Sequence, residues 1–253
     1  MNEYIQENKE TIDRWCRDGW EWSVPVSHEE FVQAKQGDCQ LFLTPTKPIP
    51  RQWLGELTGK TVLALASGGG QQGPLLTALG AQVTVLDFSD EQLMRERIVA
   101  QREGYEIQLV QADMSQPLPF ADSSFDLIVH PVSNVYVRDV LPIWRECFRV
   151  LKRGGSLLSG LDNGINFILD DEGERVICSL PFDPLTNPEH RRMCQADGSG
   201  FQFSHGLEEQ IGGQLKAGFT FLDLYEDSDR TGNLHDRNIP QYFATFSRKE
   251  TRG

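Results

Sequence analysis

The sequence is poor in the patterns that build disulfide frameworks and metal sites. Its cysteines are few, scattered and odd in number, with no C-x-x-C spacing and no accompanying histidine cluster. They are Cys16, Cys39, Cys147, Cys178 and Cys194. We therefore expect neither disulfides nor a metal site, and reduced thiols in a cytoplasmic protein are the simplest interpretation.

Long apolar runs are also missing. No segment approaches the ~20 apolar residues of a membrane span, and the N-terminal MNEYIQENKE is polar and acidic rather than basic and then apolar. The sequence thus predicts neither a transmembrane helix nor a signal peptide, and we expect no association with a membrane.

Basic residues are in deficit. Lys and Arg number 24 against 37 Asp and Glu, which gives a formal net charge of −13. Phosphate backbones are bound mainly through clustered Lys and Arg, so a nucleic-acid partner is not expected. A length of 253 residues suits one large domain, or a domain with a small appendage.

Residues 1–50 are predicted to form a helical N-terminal cap ahead of a main domain at 51–253. The stretch ENKETIDRWCRDGWEW has Ile12 and Trp15 at helical spacing. A second helix should begin at Ser27, where SHEE has the capping-box pattern. The prolines of LTPTKPIP then exclude helix and predict an extended connector.

From Lys60 onward, strand and helix signals alternate. The predicted strands are TVLALA, QVTVLD, EIQLVQ, FDLIVH and SLLSGL, with helices expected over 72–79, 89–104 and 139–151. This alternation predicts a parallel sheet with helices on both faces. FTFLDLY and QYFATFS close the chain with no helix expected between them, so we predict an antiparallel pair. The fold class is thus α/β: a Rossmann-like, doubly wound, mostly parallel seven-stranded sheet.

Residues 162–203 interrupt the alternation. They have no strong periodicity and contain Pro181, Pro184 and Pro188. A connection this long within a compact domain is usually a functional insertion or a lid. A helix is expected to follow over 207–216 and to end at Gly218.

The glycine-rich stretch LALASGGGQQG follows the first predicted strand. Gly68, Gly70 and Gly73 satisfy G-x-G-x-x-G at the sheet edge where ligands bind, although a plain tight turn is the alternative. Asp87 ends the second strand, where a carboxylate can accept hydrogen bonds from ribose hydroxyls or cap the following helix. NAD and S-adenosylmethionine (SAM) fit these features equally well.

The third strand ends in QADM. Asp113 at its tip can accept a hydrogen bond from an adenine amino group, and Met114 can lie against the adenine face. The alternative is an ordinary turn aspartate followed by a core methionine.

Taken together, these motifs resemble a class I SAM-dependent methyltransferase of the small-molecule branch, with a type 11-like domain, over roughly residues 60–247. The resemblance rests on VLALASGGG, LDFS, QADM, SFDLIVH, RVLKRGGSLLSG and the closing antiparallel pair. That pair distinguishes this family from nicotinamide dehydrogenases. The resemblance implies SAM as the cofactor. The implied cofactor-binding residues are Ser67, Gly68, Gly69, Gly70, Gln72, Asp87, Phe88, Gln92, Asp113, Met114 and His130.

The first strand departs from the family pattern at two positions. Ala64 stands where the family often has an acidic residue, and Ala66 where it often has glycine. The acidic residue usually helps to hold the amino group of the cofactor. Gln71 and Gln72, or backbone carbonyls of the loop, are the candidates to replace it.

The tip of the fourth strand, HPVSNVY, should face the reacting methyl group. His130 could accept a proton or orient the cofactor, and Asn134 and Tyr136 could hydrogen-bond the acceptor, so these are the candidate catalytic residues. Backbone-satisfied His130 and core packing of Tyr136 are the alternatives. The candidate substrate-pocket residues are Trp22, His28, Asp162, Asn163 and His205. The histidines could instead be neighbours of helix caps, and the tryptophan could fasten the cap.

The function favoured by the sequence is methyl transfer from SAM to an unidentified small molecule by in-line displacement, which needs no protein nucleophile. A NAD-dependent oxidoreductase and a non-catalytic SAM sensor are the alternatives. The sequence carries no signal of oligomeric state.

Overall fold

Seven strands form a single sheet in the computed structural model, which describes residues 3–170 and 172–250. The strands are β1 (Thr61–Leu65), β2 (Gln82–Asp87), β3 (Gln108–Gln111), β4 (Phe125–His130), β5 (Leu151–Asp162), β6 (Thr220–Asp227) and β7 (Tyr242–Arg248). Their spatial order is β3-β2-β1-β4-β5-β7-β6. Strands β1 to β5 pair in parallel, whereas β7 lies antiparallel to both β5 and β6. The predicted fold class is confirmed.

The helices lie on both faces of the sheet. They are α1 (Glu3–Arg17), α2 (His28–Lys35), α3 (Arg51–Leu54), α4 (Gln72–Ala78), α5 (Asp90–Glu103), α6 (Leu141–Val150), α7 (Pro188–Asp197), α8 (Leu207–Ala217) and α9 (Asn233–Asp236). Side chains of α4 and α5 contribute to the core on one face, and those of α6 to the core on the other. The order of the strands reverses between β1 and β4, which is where ligands bind in open parallel sheets.

Strand β1 is buried on both faces, as its apolar sequence predicts. Val62 and Ala64 pack into one core, and Leu63 and Leu65 into the other. Successive side chains of a strand point to opposite faces, so a short apolar run supplies both layers.

The predicted starts of α2 and α5 and the predicted end of α5 are confirmed. The Ser27 side chain forms a reciprocal capping box with Glu30 at the start of α2. Ser89 accepts from the backbone N–H of Gln92 at the start of α5, which ends at Gly104 in the left-handed conformation.

Two connections differ from the sequence prediction. Helix α9 forms one turn between β6 and β7, where no helix was expected. Helix α7 lies within residues 162–203, where the side chain of Asn187 accepts from Glu189 N–H and Pro188 occupies the first turn. Both are recognisable start signals, but the short stretch between the prolines and Gly198 hides the helical period.

The N-terminal segment packs against the start of α5. Ser89 Oγ donates to the Asp13 carboxylate of α1 at 2.6 Å, and Lys9 pairs with Asp90 at 2.6 Å. Leu43 of the extended connector crosses β5 so closely that a Cβ on Gly160 would collide with the Leu43 carbonyl oxygen. The connector thereby forms a wall above the sheet edge. The cap boundary at residue 50 stays a prediction.

Within residues 3–170 and 172–250, none of the helices combines the length and apolarity that a bilayer crossing requires. The same residues bring together no group of three or more His, Cys, Asp or Glu side chains suited to a metal ion.

Candidate active site

A cavity of about 770 Å³ lies at the carboxyl edge of the sheet. It is surrounded by the loop after β1, the β2–α5 junction, the tip of β4, the N-terminal segment, the insertion over 162–203 and the β6–β7 connection. Its size is in the range of small-molecule and cofactor sites. The walls combine the two regions that the sequence assigned to cofactor and acceptor.

The loop after β1 makes close backbone contacts with its neighbours. Ala66 has a φ of 47°, a left-handed conformation that favours glycine. Gly69 has a φ of 101°, and a Cβ there would collide with the Trp22 carbonyl oxygen. At Gly68 a Cβ would lie 2.6 Å from the Gln92 Cβ. The glycines are therefore required by the N-terminal segment and by α5 packing onto the loop.

Asp87 connects this loop to the start of α5. Its Oδ2 accepts from the Gly68 N–H and its Oδ1 from the Ser89 N–H, both at 3.0 Å. The side chain is 5% exposed and lines the cavity. Burial raises the pKa of Asp87 to about 6, against the lowering effect of these backbone donors. The carboxylate keeps lone pairs for a ligand's hydroxyl groups.

Glu96 of α5 holds the loop from beneath. The Gly70 N–H donates to its Oε1 at 2.8 Å, while its Oε2 has no hydrogen-bond partner in the described chain. Complete burial raises the pKa of Glu96 to about 8, and the nearby Asp87 charge adds to the shift. No motif in the sequence indicated this residue.

The two glutamines after the glycines have different partners. Gln71 Nε2 donates to the carbonyls of Glu21 and Val24, at 2.8 and 3.0 Å, and so fastens the N-terminal segment to the loop. Gln72 Nε2 donates to the Phe42 carbonyl at 2.8 Å, while its Oε1 is buried with no partner among the described residues. Both residues line the cavity.

Two further buried polar atoms of the cavity wall are unpaired within residues 3–170 and 172–250, namely Ser67 Oγ and Gln92 Oε1. Native proteins rarely leave buried polar groups unpaired. Their position beside the glycine loop fits a wall that a polar ligand completes.

Two of the candidate catalytic residues, His130 at the end of β4 and Asn134 in the turn after it, form a buried hydrogen-bonded chain with Gln210. His130 is fully buried, with Nδ1 3.0 Å from the Leu65 carbonyl and Nε2 2.8 Å from Asn134 Oδ1. Asn134 Nδ2 donates to Gln210 Oε1 at 3.0 Å. Burial lowers the pKa of His130 below its ordinary value. Its ring ties β1 to β4 rather than facing the cavity.

The opposite end of the cavity is built by the insertion and by the ends of β5 and β7. Phe167 and Phe182 stack with their centroids 5.0 Å apart. Asp162, which ends β5, and Tyr242, which begins β7, complete this end. Tyr136, at the tip of β4, lines the cavity between the two ends, and burial raises the pKa of its hydroxyl.

The structure brings nine of the predicted site residues to the cavity wall. They are Trp22, Ser67, Gly68, Gln72, Asp87, Phe88, Gln92, Tyr136 and Asp162. Gly69 and Gly70 belong to the same loop but pack outward, against the Trp22 carbonyl and Arg95 respectively.

The remaining predicted residues lie outside the wall. Met114 packs in the core below the sheet edge, and Asp113 accepts from Ser115 N–H in a local turn. His28 pairs with Glu103 at 2.8 Å on the outer end of α5. Because the start of α2 faces that end of α5, its side chain lies far along the helix from the glycine loop.

Asn163 and His205 bind backbone carbonyls instead of facing the cavity. Asn163 Nδ2 donates to Pro240 O at 2.7 Å, and His205 Nε2 lies 2.8 Å from Val137 O and 3.1 Å from Asn134 O. Burial lowers the pKa of His205. Both residues thereby position neighbouring loops.

Several cavity residues were not predicted from the sequence. They are Ile12, Glu21, Phe42, Thr44, Asp229, Arg230 and Tyr242. The polar run before β7 was the one available indication, because chain between two paired strands returns to the same sheet edge.

The chain is similar to known methyltransferases in sequence and in fold. A family model described as a methyltransferase domain matches residues 63–159. The Bacillus subtilis (strain 168) protein called uncharacterized methyltransferase YbaJ is 43% identical over 256 residues, which cover 98% of this chain and 100% of that protein. This chain belongs to the class I SAM-dependent methyltransferases.

More distant methyltransferases match parts of the chain. A sterol 24-C-methyltransferase, erg6, of Aspergillus fumigatus is 28% identical over 77% of this chain and 52% of its own length. A SAM-dependent methyltransferase structure from Mesorhizobium loti superimposes with a TM-score of 0.62 at 20% identity, covering 78% of this chain and 94% of that one. That structural likeness shows the shared fold. Membership of the family implies SAM as the cofactor of this methyltransferase.

Proposed function

We propose that this methyltransferase binds SAM at the glycine-loop end of the cavity and transfers its methyl group to a small molecule held at the insertion end. The observation that carries the proposal is the cavity itself. It runs without interruption from Asp87 and the glycine loop to Asp162 and the aromatic pair of the insertion. A single chamber of this kind lets two ligands meet.

The residues beside the glycine loop fit SAM. Asp87 would accept hydrogen bonds from the ribose hydroxyls. Gln72 Oε1, which has no partner in the described chain, would accept a hydrogen bond from the amino group of SAM. It would take the role of the acidic residue that Ala64 replaces in this chain. Ser67 and Gln92 supply two further unpaired polar atoms, and the carboxylates of the wall suit the positive sulfonium.

When bound, SAM supplies an electrophilic methyl group on a positively charged sulfur. The tasks left to the chain are to align the acceptor, to exclude water and to accept a proton where the acceptor releases one. The N-terminal segment, through Trp20 and Trp22, and the insertion, through Phe182, cover the chamber. His130, which is buried between the Leu65 carbonyl and Asn134, would position the tip of β4 instead of exchanging protons.

Thermal denaturation tests the cofactor. SAM, or its demethylated product S-adenosylhomocysteine, should raise the melting temperature by roughly 5–10 °C at a hundredfold excess over Kd. NADH at the same concentration should leave it unchanged. A shift with NADH and none with SAM would support the oxidoreductase alternative instead.

Catalysis is tested separately. With radiolabelled methyl-SAM and a protein-free extract of small metabolites, the enzyme should transfer label to a small molecule. Asp87→Ala is the matched control and should abolish transfer. Binding of SAM without any labelled product would support the sensor alternative.

A further inference from the structure

The wall of the cavity carries an excess of negative charge. Its carboxylates are Glu21, Asp87, Asp162, Asp197 and Asp229. Among the described residues that line the cavity, Arg230 is the one cationic side chain, and it pairs with Glu21 at 3.1 Å. Asp87 already binds two backbone N–H groups, and Asp197, which is exposed, binds Ser199 N–H. Asp162 and Asp229 form no ion pair with the described residues, although His235 lies close enough to Asp229 to act on its pKa.

Asp162 lies at the carboxyl end of β5 and is 4% exposed. Its Oδ1 accepts from Gly164 N–H at 2.6 Å and its Oδ2 from Asn166 Nδ2 at 3.3 Å. Burial raises the pKa of Asp162 to about 7, and the charge of Asp229 acts in the same direction. No ion pair forms between it and any residue of the described ranges.

Asp229 and Tyr242 stand beside it on the same wall. Asp229 Oδ2 accepts from Gln241 Nε2 at 3.0 Å. Burial raises the pKa of the Asp229 carboxyl, against the lowering effect of the neighbouring Tyr242 hydroxyl, and neighbouring carboxylates add to the shift. The Tyr242 hydroxyl lies 3.3 Å from the amide nitrogen of Asn166, the same amide that contacts Asp162. The three groups form one polar cluster, which we call the carboxylate wall.

Buried carboxylates are normally paired with cations or saturated with donors. The buried Asp162 and the half-buried Asp229 accept hydrogen bonds from uncharged donors but form no ion pair within the described residues, and both border an open chamber. An apolar surface, which includes Phe167 and Phe182, lines the same end of that chamber. At the other end, Ser67 and Gln92, which are 4% and 7% exposed, hold unpartnered polar atoms within the described structure. The unpartnered atoms thus lie at the glycine-loop end, whereas the insertion end combines carboxylates that lack a cation in the described structure with an apolar surface.

Resting on the proposed function, we infer that the methyl acceptor is an amine with an apolar substituent, whose basic nitrogen binds the carboxylate wall of Asp162, Asp229 and Tyr242. The substituent lies against Phe167 and Phe182. The charge and the apolar surface meet at one end of the chamber, which matches a ligand that is cationic at one end and apolar at the other.

Asp162 can accept the proton that must leave the ammonium before its nitrogen is methylated. The bound ammonium gives one N–H proton to the Asp162 carboxylate and becomes a neutral amine. The nitrogen lone pair forms the new N–C bond to the methyl group, while the C–S bond breaks and its electron pair stays on sulfur. The product is a methylated ammonium, and the proton on Asp162 passes to solvent.

The test compares amines with alcohols of the same shape. Protein saturated with S-adenosylhomocysteine is titrated calorimetrically with a panel of phenylalkyl and alkyl amines, 2-phenylethylamine among them, and with the corresponding alcohols. We expect at least one amine to bind about tenfold or more tightly than its alcohol, since a hydrogen bond between charged groups is worth that much. A panel with no amine preference would overturn the inference.

Substitutions in the carboxylate wall test which residues cause the preference for amines over alcohols. Asp162→Asn and Asp229→Asn should reduce it about tenfold, and Tyr242→Phe, which leaves both carboxylates intact, should reduce it less. Asp197→Asn removes one negative charge from another part of the cavity lining and should leave the preference for amines unchanged. A preference unchanged in Asp162→Asn and Asp229→Asn would refute the assignment.

Binding of S-adenosylhomocysteine alone separates the two proposals. Should Asp162→Asn weaken it tenfold, the carboxylate wall serves the amino group of the cofactor, and the acceptor assignment is wrong while the proposed function stands. Should the unsubstituted protein bind neither SAM nor this product, the proposed function itself fails. Circular dichroism of each ligand-free variant confirms that it folds.

Discussion

The Gly70 N–H donates to Glu96 Oε1 at 2.8 Å, so a carboxyl group inside α5 holds the glycine loop in place. Glu96 is fully buried, and a Cβ at Gly73 would collide with its Oε2. The loop is therefore shaped both by its own glycines and by a side chain 26 residues away from Gly70. We therefore expect the stability of the protein to depend on the protonation of Glu96.

Replacement of Glu96 by Gln should flatten the pH dependence of stability. Burial raises the pKa of Glu96 from the ordinary 4.5 to about 8. A group that keeps its proton only in the folded state stabilises that state below its unfolded pKa. This contribution is lost as the pH rises through the folded pKa. The free energy of unfolding of the unsubstituted protein should fall by a few kcal/mol between pH 5 and 8, at roughly 1.4 kcal/mol per pH unit.

Urea denaturation at several pH values measures this slope, and Glu106→Gln, an exposed carboxylate just beyond α5, is the control. Because burial also raises the pKa values of Asp87 and Asp162, to about 6 and about 7, the loss of slope in Glu96→Gln should be clearest between pH 7 and 8, whereas Glu106→Gln should retain the slope. An identical slope in Glu96→Gln and the unsubstituted protein would show that Glu96 is ionised when buried.

Substitution of Gln71 and of Gln72 should have different effects. Gln71→Ala removes the two hydrogen bonds to Glu21 and Val24, so amide hydrogens of residues 20–26 should exchange faster, with little change in affinity for S-adenosylhomocysteine. Gln72→Ala should weaken that affinity about tenfold and leave exchange over 20–26 unchanged. Calorimetry and hydrogen exchange on both variants check this, and the reverse outcome would assign the cofactor contact to Gln71.

Cofactor affinity should fall in acid because of Asp87. Ribose hydroxyls donate to the carboxylate, and burial raises the pKa of Asp87 to about 6. Affinity for S-adenosylhomocysteine should be constant above pH 7 and decline below pH 6, by up to about tenfold per unit. Asp87→Asn should be weaker at all pH values and lose this decline.

Asp113→Asn is the matched control for that titration. The described residues that line the cavity do not include Asp113, so this variant should bind like the unsubstituted protein. A large loss of affinity in Asp113→Asn would instead support the adenine contact that the family resemblance implies.

Two neighbouring glycines of α8 should respond oppositely to alanine. At Gly213 a Cβ would lie 2.6 Å from Trp144 Cδ1, and Trp144 is fully buried, so Gly213→Ala should cost about 1–3 kcal/mol of stability. A Cβ at Gly212 would have its nearest atom 3.7 Å away. Gly212→Ala should therefore stabilise the protein by as much as ~1 kcal/mol, because alanine has the higher helix propensity. Urea denaturation of both variants measures the difference. Equal effects would contradict the close packing of α8 on α6.

The sequence by itself determined the sheet, the glycine loop and Asp87. Each depends on local rules: apolar runs that repeat in a strand, glycine where the backbone turns sharply, and a carboxylate at the end of β2. Such rules act over a few neighbouring residues, so they are visible in one stretch of chain.

Only the tertiary structure decided which polar side chains face the cavity. His28 and His205 have similar positions at helix starts, yet the one pairs with Glu103 and the other binds the Val137 carbonyl. Asp162 and Asp229 meet at one wall because β7 lies between β5 and β6, so the β6–β7 connection that carries Asp229 begins beside the end of β5. The partner of a side chain depends on which distant segments pack beside it, and the local periodicity of a sequence does not encode that choice.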